Sequence, residues 1–282
     1  MRVTYEESKR WRRIQNKKVV LTVYLVLRIL VLLTMVAQFL NGNYENVYLC
    51  LLTLILFMLP SFFERRLHID LPDTLEIIIL LFIFAAEILG EIREFYLLIP
   101  SWDTVLHTLN GFLFAAIGFS IVNILNEDKH ISLSLSPFYM AVTAFCFSMT
   151  IGVLWEFFEW GMDCVFGLDM QKDTILAGFN TVNLDPAGGN TAFHVRHVVD
   201  TVLVYADGTT QAMGLGGYLD IGLMDTMMDL LVNLIGAVVF SFFGFFYVKT
   251  KGKGKIARNF IPNVLDAPAE DGEAPQEPPK EE

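Results

Sequence analysis

The stretch that decides the fold is TVLHTLNGFLFAAIGFSIVNIL, residues 104–125, which is apolar except for a few polar side chains. An α-helix rises about 1.5 Å per residue, so about 20 such residues cross the ~30 Å hydrocarbon core of a bilayer. The rest of the chain has the same character, because 54% of its 282 residues are hydrophobic and only 18% are charged. This composition excludes a disordered chain and a small disulfide scaffold, and it indicates a membrane protein.

Six segments are long and apolar enough to be read as membrane spans. They are residues 19–40, 47–63, 75–90, 104–125, 138–160 and 228–248. The third segment is the shortest. We therefore expect an all-α integral membrane protein with six transmembrane helices.

The distribution of Lys and Arg predicts the orientation, since these residues are enriched in cytoplasmic loops. Most of the 20 basic residues fall in the segments before the first span and after the last. Both termini of this multi-pass protein of the cell membrane should therefore be cytoplasmic. The predicted organisation is a basic segment (1–18), five spans (19–160), an extracytoplasmic loop (161–224), the sixth span (225–248) and a cytoplasmic tail (249–282).

Two segments outside the spans have sequence patterns that predict their structure. Residues 197–215, HVVDTVLVYADGTTQAMGL, read as two strands around an Asp207-Gly208 turn, which predicts a small extracytoplasmic β-hairpin between the fifth and sixth spans. The tail is basic at first and then becomes DAPAEDGEAPQEPPKEE, residues 266–282, which is rich in Pro and acids and should be disordered.

Polar residues form three stripes near the predicted outer ends of the last three spans. Residues three, four or seven positions apart share a helix face, so each stripe should point into the helix bundle. Ionisable groups in a membrane are costly, which makes such stripes candidates for function. The stripes are Asp103, His107, Asn110 and Gly111; Glu156, Glu159 and Asp163; and Asp225, Asp229 and Asn233.

Carboxylates that are packed together need a counter-charge, such as a bound cation or shared protons. Carboxylates with one imidazole suit a divalent metal, and Zn, Mn, Fe and Mg all fit this donor set. The predicted metal ligands are Asp103, His107, Glu156 and Asp229. Glu159 or Asp225 would serve as the general base. The alternative is structural, because Asp103 and Asp225 are also suitable helix N-caps.

Three segments resemble the YjdF-like family of bacterial membrane-spanning proteins. They are residues 99–107 (IPSWDTVLH), 155–160 (WEFFEW) and 225–230 (DTMMDL) with Asn233 and Gly236. The resemblance implies a polytopic membrane protein and supplies no reaction. The D-x-x-x-H pattern of Asp103 and His107 is also similar to the VanZ-like membrane proteins, through this one short motif.

Two functions and one structural role fit these residues. A metal-dependent intramembrane hydrolase would act on a lipid or lipid-linked head group, or on a small molecule, beside the outer leaflet. A cation or proton transporter would use the same acids as a binding site. In a non-catalytic scaffold they would hold helices together. We expect membrane lipids and no nucleic acid as partners.

The orientation is testable by cysteine labelling in a background without the three native cysteines. A cysteine at Thr209 should react with a membrane-impermeant maleimide added to intact cells, because the hairpin is predicted to be extracytoplasmic. A cysteine at Gly254 should react only after the cells are permeabilised. The reverse pattern would put the acidic stripes at the cytoplasmic side.

Overall fold

The computed structural model describes residues 5–67, 69–127, 134–250, 259–261 and 263–264. The acidic tail predicted for residues 266–282 lies outside these ranges. The chain divides into two compact units, one from residues 1–80 and 259–282 and the other from Leu81–Arg258. Each unit has its own packing.

The first unit is built on the helices α1 (Tyr5–Leu40) and α2 (Tyr44–Leu56), which pack against each other. The chain turns between them at Gly42, whose φ of +78° favours glycine. Val31, Cys50 and Phe57 are buried in this packing. The unit continues with α3 (Leu59–Leu67), the two-residue strand β1 (Ile69–Asp70), which pairs with β8 (Asn263–Val264), and the start of α4 (Asp73–Phe84).

Three long helices form the core of the second unit: α6 (Trp102–Glu127), α7 (Pro137–Phe166) and α8 (Leu223–Lys249). All three pack against one another. The sequence marks both ends of α7. Ser136 accepts a hydrogen bond from the Tyr139 N–H, Pro137 follows it, and Gly167 ends the helix in the left-handed conformation with φ +66°.

Glycines bring the backbones of α6 and α8 into direct contact. A β-carbon at Gly111 would collide with the carbonyl oxygen of Asn233, and one at Gly236 would collide with that of Thr108. On α7, the position of a β-carbon at Gly152 is 2.7 Å from the Asn233 amide nitrogen. Small residues allow such close approach between membrane helices.

Within the described ranges, five helical segments are long and apolar enough to cross a membrane: Lys17–Leu40, Tyr44–Arg66, Trp102–Asn126, Pro137–Phe166 and Leu223–Lys249. The predicted span at residues 75–90 is not among them. The α-helix there, α4, has only 12 residues, and from Ala85 the chain continues as a π-helix to Ile92. Twelve residues are fewer than the ~20 that an α-helical span requires. The short helix α5 (Phe95–Leu98) follows.

The segment between α7 and α8 contains three antiparallel strand pairs. They are β2 (Thr174–Leu176) with β7 (Tyr218–Asp220), β3 (Gly178–Thr181) with β4 (Phe193–Arg196), and β5 (Val202–Val204) with β6 (Thr210–Ala212). The Asp207-Gly208 turn lies between β5 and β6, where the Tyr205 N–H donates to the Thr209 carbonyl at 2.9 Å. The segment is thus more elaborate than the single hairpin expected from the sequence.

The glycine contacts generate a stability prediction. In a helix interior Gly→Ala ordinarily stabilises by about 1 kcal/mol. Gly111→Ala and Gly236→Ala should instead destabilise the protein by about 1–3 kcal/mol, as overpacking does. Gly161→Ala in α7 is the matched control, because no atom lies within 4 Å of its β-carbon position. Apparent Tm in detergent measures the effect, and equal Tm values for all three variants would contradict the close approach.

Candidate functional site

The site begins on the first two turns of α6, where Asp103 and His107 face the same side. The His107 Nε2 lies 3.4 Å from the Asp103 Oδ1. Their spacing of four residues produces this contact, because side chains at i and i+4 are stacked on one helix face. His107 is buried, whereas Asp103 is half-buried.

Helix α8 brings Asp229 to the same imidazole nitrogen. The Asp229 Oδ2 lies 3.9 Å from the His107 Nε2. Each of Asp103, His107 and Asp229 offers one ligand atom, and these three atoms lie within 4.8 Å of one another. A single metal ion could bridge this separation. We call these three residues the Asp-His-Asp group.

Helix α7 contributes Glu156 to the other edge of the ring. Its Oε1 lies 3.8 Å from the His107 Nδ1. Both Glu156 oxygens and the Asp229 Oδ2 are buried without a hydrogen-bond partner among the described residues. The hydroxyl of Thr226 approaches Glu156 without hydrogen-bond geometry. The structure thus brings all four predicted ligands together, with Asp103 and Asp229 at the Nε2 of His107 and Glu156 at its Nδ1.

The two predicted bases have different surroundings. Glu159 is buried, and its Oε1 accepts a hydrogen bond of 2.9 Å from the Trp155 indole nitrogen. The Asp225 Oδ2 accepts the backbone N–H of Lys172 at 2.7 Å. Asp163, the third acid of the α7 stripe, accepts the N–H groups of Met170 and Gln171. Asp163 and Asp225 therefore fix the segment 170–172 between α7 and α8.

A second polar layer lies one turn deeper in the bundle. The Asn110 side-chain amide donates to the Asn233 Oδ1 at 3.1 Å, linking α6 to α8. The Ser148 hydroxyl donates to the Gly111 carbonyl at 2.7 Å, linking α7 to α6. Asn233 is 1% exposed, whereas Asn110 is half-buried. These bonds hold the three helices that carry the acids in register.

The acidic cluster consists of Asp103, Glu156, Glu159 and Asp229 around His107, and no Lys or Arg in the described part of the chain balances its charge. Among the described residues no Lys or Arg forms an ion pair within 4.0 Å of Asp103, Glu156, Glu159 or Asp229, and His107 is the basic neighbour of Asp103, Glu156 and Asp229 at that distance. Uncompensated buried carboxylates are strongly unfavourable. The arrangement is therefore suited to a bound cation or to protons shared among the acids.

Sequence reasoning missed Tyr96 on α5. Glu94 adopts a left-handed conformation with φ +58°, and the chain then folds back so that the Tyr96 ring covers Gly90. Burial raises the pKa of the Tyr96 phenol, and the neighbouring carboxylates, Asp103 first, raise it further. The phenol is thus a neutral hydrogen-bond donor beside the cluster. No sequence pattern marks a left-handed glutamate, so the contact could not be foreseen.

Helical spans around a buried Asp, His and Glu cluster define a polytopic membrane protein with a candidate cation site. The chain belongs to the family described as predicted membrane protein (DUF2238), whose model matches residues 22–250. This match confirms that the chain resembles a family of membrane-spanning proteins. It does not support the resemblance to the VanZ-like proteins. No curated protein and no solved structure matches the chain.

The hydrogen bond between Asn110 and Asn233 predicts that substitutions at these two positions have non-additive effects on stability. Asn233→Ala removes the acceptor of the Asn110 amide, and an unsatisfied buried polar group costs about 1–3 kcal/mol. Asn110→Ala should also destabilise the protein, and the double variant should lose clearly less than the sum of the two, because the two side chains share a hydrogen bond. Unfolding free energies of the four proteins in detergent measure this, and strict additivity would contradict the bond.

Proposed function

We propose that this protein is a metal-dependent membrane hydrolase that acts on a lipid or lipid-linked substrate. The observation that carries the proposal is the Asp-His-Asp group, whose ligand atoms lie within 4.8 Å of one another. Two carboxylates and an imidazole are a suitable donor set for Zn, Mn or Fe, and less so for Mg. The buried Asp229 Oδ2 has no hydrogen-bond partner among the described residues, and this supports a cation at this position, because a buried carboxylate oxygen is costly without one.

Within this proposal Asp103, His107 and Asp229 hold the cation. A bound divalent cation would supply Lewis acidity and lower the pKa of a water molecule. Glu156 was predicted as a fourth ligand, but its position at the His107 Nδ1 favours a role in orienting the imidazole. This type of outer-shell carboxylate fixes the tautomer of a metal-binding histidine.

Glu159 is the stronger candidate for the general base. Its Oε1 accepts the Trp155 N–H, which orients the carboxylate while it interacts electrostatically with His107. Asp225, the other predicted base, already accepts the Lys172 N–H. A base must lie within reach of the water that it deprotonates, and Glu159 shares the buried surroundings of the cluster.

The packing below the cluster favours a hydrolase over a cation path through the protein. Phe119 and Phe240 are fully buried, with ring centroids 6.1 Å apart, and Phe112 packs edge-on against Phe240 at 5.1 Å. These rings fill the space between α6 and α8 beyond the Asn110–Asn233 layer. The buried polar residues further along α6 and α8 are uncharged, namely Ser120, Asn123 and Ser241. A transport path needs polar groups through the whole membrane, and the phenylalanine rings interrupt it, whereas a hydrolytic site needs access from one side only.

We further propose six spans, with residues 75–90 as the third, in a bacterial cell membrane. The 12 residues of α4 and the eight of the π-helix give 20 continuous helical residues, which supports this count. The basic segments at both ends support cytoplasmic termini and an extracytoplasmic α7–α8 segment. We infer that the YjdF-like proteins are this same family.

The proposal predicts the metal content of protein purified without added metal or chelator. Wild type should retain close to one Zn, Mn or Fe per chain by inductively coupled plasma mass spectrometry. Glu156→Gln/Asp229→Asn should lose the metal while still inserting into the membrane. Glu156→Gln alone should weaken metal affinity by about 10–100-fold, as outer-shell changes do.

Asp207→Asn is the matched control for this measurement. It makes the same carboxylate-to-amide change in an exposed turn, where Asp207 accepts hydrogen bonds from Thr209 only. It should keep the full metal content. Full stoichiometry in Glu156→Gln/Asp229→Asn would contradict the cation site, and a loss of stability without any metal in the wild type would favour the scaffold role.

A further inference from the structure

A cavity of about 340 Å³ lies between α7 and α8 beside the candidate site. Its wall is mostly apolar, and Phe157 and Trp160, which line it, are 63% and 58% exposed on a membrane-spanning helix. Exposed aromatic side chains on such a helix face lipid or the interfacial region. The cavity is therefore open to the bilayer from the side of the bundle.

Three of the residues that line the cavity are polar. Glu156 lines it, is 4% exposed and has no hydrogen-bond partner for either carboxylate oxygen among the described residues. Gln171 and Thr226 line the cavity too, and the Gln171 amide donates to the Thr226 hydroxyl. A carboxylate, an amide oxygen and a hydroxyl offer acceptors to a ligand that carries hydrogen-bond donors.

The negative charge of the acidic cluster favours a ligand whose hydrogen-bond donor is positively charged. The cluster formed by Asp103, Glu156, Glu159 and Asp229 has four carboxylates around one imidazole. Even with a divalent cation in the Asp-His-Asp group, its formal charge remains negative. A primary ammonium brings both a positive charge and three N–H donors, so it complements the unpartnered Glu156 better than a neutral hydroxyl or a donor-free quaternary amine.

We propose that this cavity binds a membrane lipid whose head group carries a primary ammonium, with the ammonium at Glu156 and the first part of an acyl chain along Phe157. A volume of about 340 Å³ suits a head group and not a whole lipid, since sites for small ligands measure ~300–1,000 Å³. The proposal deepens the proposed function by naming the substrate class, and it rests on that function only for the claim that the bound lipid is the substrate.

The test uses the full chain in phosphatidylcholine nanodiscs that contain a small fraction of a photoreactive lipid. Diazirine-bearing phosphatidylethanolamine and phosphatidylcholine are compared, and mass spectrometry quantifies the labelled peptides of α7 and α8. Phosphatidylethanolamine should label residues near the cavity about tenfold more than phosphatidylcholine, which corresponds to a preference of ~1.4 kcal/mol. Equal labelling by the two lipids in wild type would overturn the proposal.

Three variants test whether the preference for phosphatidylethanolamine arises at this cavity. Glu156→Gln should bring the ratio of the two lipids to about one, because a neutral amide does not attract an ammonium. Val153→Phe, which fills the cavity, should reduce labelling by both lipids. Leu154→Phe is the matched control, since Leu154 is 54% exposed and does not line the cavity, and it should label like wild type. An unchanged ratio in folded Glu156→Gln, or unchanged labelling in Val153→Phe, would also overturn the proposal.

Failure of this proposal and failure of the proposed function are distinguishable. Metal content is measured on the same wild-type nanodiscs. A lipid preference without bound metal would refute the hydrolase and keep the lipid site, whereas bound metal without a lipid preference would refute the lipid site alone. Should Glu156→Gln not fold, the comparison of the two lipids in wild type and in Val153→Phe still decides the outcome.

Discussion

The backbone contact between α6 and α8 is the constraint on which the candidate site depends. Gly111 lies against the Asn233 carbonyl and Gly236 against the Thr108 carbonyl, so the two helices can approach only without β-carbons at these positions. One turn along from this contact, the same approach brings His107 on α6 to 3.9 Å from Asp229 on α8. The glycines thus determine the distance between His107 and Asp229, two of the candidate metal ligands.

The acidic residues divide into two groups by their partners. Asp163 and Asp225 accept backbone N–H groups of residues 170–172 and secure the segment that joins α7 to α8. Asp229 and Glu156 retain buried oxygens without such partners. Burying a carboxylate oxygen without a hydrogen bond is costly, so the second group is suited to a ligand or to shared protons, whereas the first has a sufficient structural reason. This difference separates a candidate site from an ordinary helix end.

Much of this arrangement follows from periodicity. The spacing of Asp103 and His107, or of Asp225 and Asp229, defines a helix face from sequence alone, and the apolar segments define the helices. The change from α- to π-helix at Ala85, the left-handed Glu94 and the approach of Tyr96 depend on tertiary packing that no local pattern encodes. Which imidazole nitrogen each carboxylate meets depends on helix rotation, so the sequence does not show that Glu156 lies at Nδ1 and Asp103 and Asp229 at Nε2.

The measurement that tests the central claim most directly is electron spin-echo spectroscopy of the protein loaded with Mn²⁺. Ligation by the Asp-His-Asp group predicts modulation from one directly coordinated imidazole nitrogen, which disappears in His107→Gln. The signal should persist in His194→Gln, a histidine whose Nδ1 contacts Asn180 in the β3–β4 pair. Absence of a coordinated nitrogen, or a nitrogen signal that survives His107→Gln, would contradict a cation held by His107.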